Sequence, residues 1–143
     1  MVEKDESADD IILRQRRESL LLVSEFAQKY YNEQLREGEG LSVGYAYFRT
    51  RGIEDETISR FGLGWAPSGR TSLVDAALKE GYKAEYLVDA GLVVRHEDGT
   101  VSDKFRERVM FPIHSVSGRV VAFSGRTLRS DNPAKYVNSP ETE

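Results

Sequence analysis

Between Phe105 and Thr142 lie six cations, at positions 106, 108, 119, 126, 129 and 135, against acids only at 107, 131 and 141. A guanidinium group stays charged at any working pH, and its fork donates two parallel hydrogen bonds. A row of arginines therefore suits phosphate oxygens. Arg108 to Ile113 alternates as a strand does, with Val109, Phe111 and Ile113 on one face, and Arg119 to Leu128 reads as a second strand. The polar connection His114 to Gly118 ends in a glycine that accepts positive φ, so the two strands are expected to form an antiparallel hairpin. The period of two puts Arg106 and Arg108 on one solvent-facing side, with Arg126 beside them from the partner strand. The same pattern also describes an edge strand that carries charge against edge-to-edge aggregation.

The chain has 143 residues and a formal net charge of -4. Residues 1–103 carry 13 Lys/Arg against 20 Asp/Glu, whereas residues 104–136 carry 7 against 2. A basic patch on an acidic body suits one oriented strand of nucleic acid, because local charge sets the field there. The absence of cysteine excludes disulfides and any cysteine-ligated zinc or iron–sulfur site. His96 and His114 are the only histidines, and both fall in expected loops. Neither a His–carboxylate metal cage nor a Ser/His/Asp set is suggested, and no carboxylate pair rises above the surface background. No cofactor or metal is expected to bind this chain. The acidic, polar start MVEKDESADD is no signal peptide, and no apolar run has transmembrane length, so a cytoplasmic protein without membrane association is expected.

The elements that must position these cations are legible in outline. Asp9 or Asp10 is expected to cap a long helix running to about Glu37, stopped by Gly38, with Leu22, Val23, Phe26, Ala27 and Tyr30 as its apolar stripe. Residues 1–17 read as a solvated helical extension. Ser42 is expected to cap a second helix through about Arg51, and Glu54 or Asp55 opens a third ending near Arg60. Phe61 to Pro67 is extended. Helices from Ser68 or Ser72 to Glu80 and from Lys83 to Ala90 follow, then a small hairpin, Leu92 to Ser102, in whose turn His96 reads as a solvated residue. Asp131 to Pro140, broken by two prolines, is extended. The fold class is α+β: a long N-terminal helix and several short helices packed on antiparallel β-hairpins, in a length that suits one domain, 1–143.

Five segments, in order, carry a resemblance: YFRTRGI at 47–53, ETISRFGLGWAP at 56–67, RERVMFPI at 106–113, GRVVAFSGRTL at 118–128 and PAKYVNSPET at 133–142. From about Phe26 onward the chain resembles the bacterial DNA primases of the DnaG type, and the KYVNSPET tail is the most specific part. The resemblance implies the N-terminal subdomain of a catalytic core that synthesises RNA primers for DNA replication, with a nucleotidyltransferase as parent. The resemblance implies that the family's zinc module would precede this subdomain and its Toprim metal-binding subdomain would follow Glu143, so that both are expected to lie outside these 143 residues. Mg or Mn and Zn are thus implied for the parent, and the 143 residues alone are expected to be inactive. The implied template contacts are Arg60, Arg106, Arg108, Arg126 and Lys135, with Tyr136 and Asn138 shaping the junction to the next subdomain. The implied partners are single-stranded DNA template, RNA–DNA primer duplex and, for the parent, a replicative helicase. The sequence departs from the family in having His114-Ser115-Val116-Ser117 where Arg/Asp-type residues are usual, and Ser124 where glycine is frequent. Two other readings stand beside this one: a module of a phage or mobile-element primase-helicase, and a non-catalytic domain whose basic hairpin docks an acidic protein.

Overall fold

The computed structural model describes residues 7–141. Helix α1, Ala8–Gln34, starts where the Ser7 hydroxyl accepts from the Asp10 amide at 3.1 Å. Ser7 is therefore the cap in place of Asp9 or Asp10, which sit in the first turn and favour it through the helix dipole. Leu20, Val23, Ser24, Ala27 and Tyr31 form the buried stripe of α1, while residues 8–18 are exposed. The part of the expected extension before residue 7 lies outside the described residues.

After α1 the chain makes a π-helical turn, Gly40–Tyr45, that runs into α2, Ala46–Thr50. Ser42 does not cap this helix; its hydroxyl donates back to the Gly38 and Glu39 carbonyls at 3.3 and 3.5 Å. The helix starts early because glycines let it lie on Trp65: a Cβ at Gly44 would stand 3.0 Å from the Trp65 ring. Helix α3, Asp55–Phe61, ends at Gly62 in the left-handed region, φ 67°, a usual helix stop.

The remaining elements are β1 (Gly64–Ala66), α4 (Ser72–Lys79), α5 (Ala84–Asp89), β2 (Val93–Arg95), β3 (Val101–Asp103), β4 (Arg108–His114), β5 (Val120–Thr127) and β6 (Tyr136–Asn138). One sheet has the order β1-β4-β5-β6, antiparallel throughout, and β2-β3 is a separate hairpin. The α+β class read from the sequence is the class observed. Helix α4 is capped from a distance: its own flanking residue, Thr71, supplies no capping bond, and the buried Asp103 carboxylate accepts from the Leu73 and Val74 amides at 2.8 and 3.1 Å. Burial pushes the Asp103 carboxyl up to about 6, against the pull of those two amides. His96 is not a solvated loop residue, since it is half-buried with Nε2 2.7 Å from the Ser102 hydroxyl.

The register assigns each sheet residue to a face. Gly64 pairs with Met110, Trp65 with Val109, Val109 with Arg126 and Met110 with Gly125. Directly paired residues share a face, so Met110, Gly125 and Phe123 look toward α1, where Tyr31 meets Phe123 edge-on at 5.6 Å. Trp65, Val109 and Phe111 look the other way, onto Phe48, Leu35 and Ile58. Both faces of β4 are covered where it begins. Met110 is accordingly as buried as Val109, and Ile113, expected in the core, is 43% exposed beyond the helical cover.

Candidate nucleic-acid interface

The two-faced sheet separates residues that the strand pattern grouped together. Arg126 pairs with Val109 and with Tyr136, which places Arg126 and Tyr136 on the face away from α1; Ser124 and Asn138, paired with each other, share that face. Arg108, one residue before Val109, belongs to the opposite face. It is buried, and its Nη1 donates to the carbonyls of Gly125 at 3.2 Å and Lys135 at 3.1 Å. Desolvation holds its pKa below the ordinary arginine value. The expected row of Arg106, Arg108 and Arg126 on one exposed face is therefore corrected. Arg106 also leaves the row, because Glu107 has φ 53°, a left-handed conformation that ends the strand alternation before β4 starts. Arg106 is exposed in the segment between β3 and β4.

Around Arg126 a different group assembles. Its Nη1 donates to the Tyr47 hydroxyl at 2.8 Å, and its guanidinium carbon lies 5.4 Å from the Tyr47 ring centre and 5.7 Å from that of Tyr136. Arg51 stands over the Tyr47 ring at 4.6 Å. The order in space is Arg51, Tyr47, Arg126, Tyr136, a cation alternating with a ring. Each such contact holds a cation in place with roughly 0.5–1 kcal/mol at exposed sites. Arg126 itself is half-buried, and its Nε is enclosed without a hydrogen-bond partner among the described residues. Tyr136 is 60% exposed and offers a free ring surface. Tyr47 and Arg51 were not singled out from the sequence as site residues. The available signal was their spacing of four on a short helix, which puts a ring and a cation on one side.

Lys135 is exposed, and its backbone is fixed: its carbonyl accepts from Arg108 Nη1 and from the Thr127 amide at 2.9 Å. Asn138 is exposed on β6, and its carbonyl accepts from Lys104 Nζ at 2.8 Å. Arg60 is exposed in the last turn of α3, 5.6 Å from the Phe61 ring, and no contact joins it to the Arg126 group among the described residues. The basic stretch 104–136 is also less positive than its count. Arg119 is held by Glu18 and Glu25 on α1, and Arg129 by Asp131 at 3.0 Å and Glu107 at 3.4 Å. Lys104, Arg106, Arg126 and Lys135 remain as cations outside ion pairs and outside the core among the described residues, joined by Arg51 from the end of α2.

No group of three His, Cys, Asp or Glu that could hold a metal occurs among the described residues. No helix of the described residues is long and apolar enough to cross a membrane. What the site can do is hold an anionic polymer: guanidinium and ammonium groups for phosphates and an exposed ring for a base.

The arginine–tyrosine face lies on a small antiparallel sheet backed by a long helix, an α+β arrangement shared with known proteins. The model of the DNA primase catalytic core, N-terminal domain, matches residues 30–143, and the chain belongs to that family. It is 42% identical over 129 residues to the DNA primase of Synechococcus elongatus, covering 89% of this chain and 18% of that protein. A solved DnaG primase catalytic domain bound to ssDNA superposes with TM-score 0.81 at 37% identity, over 91% of this chain and 41% of that one. The RNA polymerase domain of Mycobacterium tuberculosis DnaG, in complex with a double-stranded DNA bearing a 6-nucleotide overhang, superposes with TM-score 0.80 at 35% identity, over 87% of this chain and 39% of that one. The chain thus spans between 18% and 22% of the length of the curated relatives first matched.

Proposed function

We propose that this chain is the template-holding wall of a primase catalytic core, the part of a DNA-directed RNA polymerase that keeps single-stranded DNA in place while an RNA primer is made. The observation that carries this is the Arg51–Tyr47–Arg126–Tyr136 group on the face of β5 and β6 away from α1, with the exposed Lys135 next in the chain to Tyr136. Phosphates of the template lie against Arg126, Arg51 and Lys135, with Arg106 and Arg60 as outlying contacts, and a base stacks on Tyr136. Arg108 acts from below by holding the Lys135 carbonyl. Phosphate and stacking contacts carry no base code, so binding is indifferent to sequence. The similarity to primase domains solved with ssDNA and with duplex DNA supports both template and primer–template duplex as partners.

The whole of 1–143 serves as one subdomain in this reading. Nucleotidyl transfer belongs to the acidic, Mg- or Mn-binding subdomain of the parent, and zinc to a separate module. The parent works with a replicative helicase in the cytoplasm, and Tyr136 and Asn138 lead the chain toward the metal-binding part. Fluorescence-anisotropy titration of a mixed-sequence single-stranded oligonucleotide tests the binding role. The expected dissociation constant is on the order of 10–100 µM, rising with salt and equal for unrelated sequences. No binding at low salt, or affinity that depends on sequence but not on salt, contradicts it.

A further inference from the structure

The buried stripe of α1 does not stop where the body of the domain stops. Leu20 and Ala27 belong to the core, and Leu13, seven residues before Leu20, continues the same line but is 61% exposed. Ile11 and Ile12 beside it are 38% and 60% exposed. A projecting helical segment this short is marginal in water, and three consecutive large aliphatic residues on it call for a cover.

The end of the described chain lies at this place. Ser139 continues the β5–β6 ladder, donating from its amide to the Phe123 carbonyl and accepting the Phe123 amide on its hydroxyl. Pro140 then lies on Gly91, where a Cβ would fall on the proline ring. Pro140 and Glu141 border a groove of about 380 Å³ with Leu13, Arg17, Leu20 and Asp89. Arg16 pairs with Asp89 across that groove at 2.9 Å, whereas Arg17 has no ion-pair partner among the described residues. Residues 140 and 141 therefore lie beside the exposed half of α1. The matched family is the N-terminal domain of a catalytic core, and the chain covers only 39% to 41% of the solved core domains it superposes on. In a core of that length, more polypeptide follows at this point.

We propose that the exposed half of α1, Ile11 to Arg17, is the docking surface for the polypeptide that continues the catalytic core after residue 143. The occupant places apolar side chains against Leu13 and Leu20 in the groove beside Pro140, and an acidic group against Arg17. In this way α1 holds the two parts of the core in a fixed relation: its C-terminal half is packed on the sheet that carries the template face. The inference rests on the primase-core reading given above.

Hydrogen exchange read by mass spectrometry tests it in two chains, the 143-residue chain and one continuing through the rest of the core. Amides of Ile11 to Arg17 are expected to exchange at least about tenfold more slowly in the longer chain. Leu13→Glu is expected to lower the melting temperature of the longer chain and leave that of the 143-residue chain unchanged. Equal exchange in the two chains, or an equal effect of Leu13→Glu on both, overturns the proposal. Protection in the 143-residue chain that grows with protein concentration also overturns it, by assigning the face to a second copy. Neither readout involves DNA. Protection of α1 without any oligonucleotide binding therefore contradicts the template role alone, and binding without protection contradicts the docking alone.

Discussion

Arg108→Ala separates a structural arginine from a DNA-binding one. The Arg108 guanidinium joins the Gly125 carbonyl on β5 to the Lys135 carbonyl just before β6, at 3.2 and 3.1 Å. Hydrogen bonds to a charged donor contribute roughly 1.5–3 kcal/mol each, so losing two costs about 3 kcal/mol at the lower end. The lower end applies because the Thr127 amide still holds the Lys135 carbonyl. For a chain of this size, about 3 °C of melting temperature per kcal/mol gives a fall of roughly 10 °C. Arg126→Ala is expected to differ: it loses the Tyr47 hydrogen bond and two ring contacts, about 2 kcal/mol and less than Arg108→Ala, while DNA affinity drops. The assay is thermal and urea unfolding followed by circular dichroism, paired with oligonucleotide titration well below both melting temperatures. An Arg108→Ala protein that melts like the wild type but binds DNA more weakly refutes the argument and returns Arg108 to the phosphate row.

Asp103 introduces a pH dependence of definite sign. Its carboxyl is raised from 3.8 to about 6 in the folded protein, so between these values the folded state holds more protons than the unfolded state. The stability it contributes is present below pH 4 and is lost as pH rises through 6; Asp103→Asn is expected to remove that part of the slope in urea midpoints measured from pH 4 to 7. Tyr47→Phe keeps the ring over which Arg51 and Arg126 sit but deletes the hydroxyl that takes Arg126 Nη1, and a two- to fivefold loss of oligonucleotide affinity is expected, with a fall in melting temperature smaller than that of Arg108→Ala because one bond is lost in place of two. Gly91 has φ 77° and lies under Pro140, so Gly91→Ala is expected to destabilise the fold by about 1–3 kcal/mol and to speed hydrogen exchange in β6 first.

Much of this was legible in the sequence because it is local. The long α1, the end of α3 near Arg60, the β2–β3 and β4–β5 hairpins and the extended tail are each fixed by periodicity or by a turn residue, and each is found within a few residues of its expected place. The site was less legible, for three physical reasons. First, alternation assigns faces only when one face is wet. With α1 on one side of β4 and Phe48 on the other, Met110 and Val109 are equally buried and the pattern does not say which way Arg108 points. Second, Glu107 in the left-handed region breaks the count between Arg106 and Arg108, and nothing about a glutamate announces that conformation. Third, neutralising partners lie far away in sequence: Arg119 finds Glu18 and Glu25 on α1, so a local tally of cations overstates the patch. The same distance hid the cap of α4 on Asp103. Arg126, Lys135, Tyr136 and Asn138, read from the tail motifs, lie together at the β5–β6 edge, whereas Tyr47 and Arg51 reach it only through tertiary packing of α2.

The most direct test of the template-wall reading is the salt dependence of single-stranded DNA binding for the wild type, Arg126→Ala and Arg14→Ala. Three to five phosphate contacts predict a slope of log affinity against log salt of roughly -2 to -3.5, at about 0.7 per neutralised phosphate. Arg126→Ala is expected to flatten that slope by about 0.7 and to weaken binding to every sequence alike, whereas Arg14→Ala, on the exposed half of α1, leaves both unchanged. A slope that does not differ between wild type and Arg126→Ala, or a loss in Arg14→Ala equal to that in Arg126→Ala, contradicts the assignment of the template to the Arg126 face.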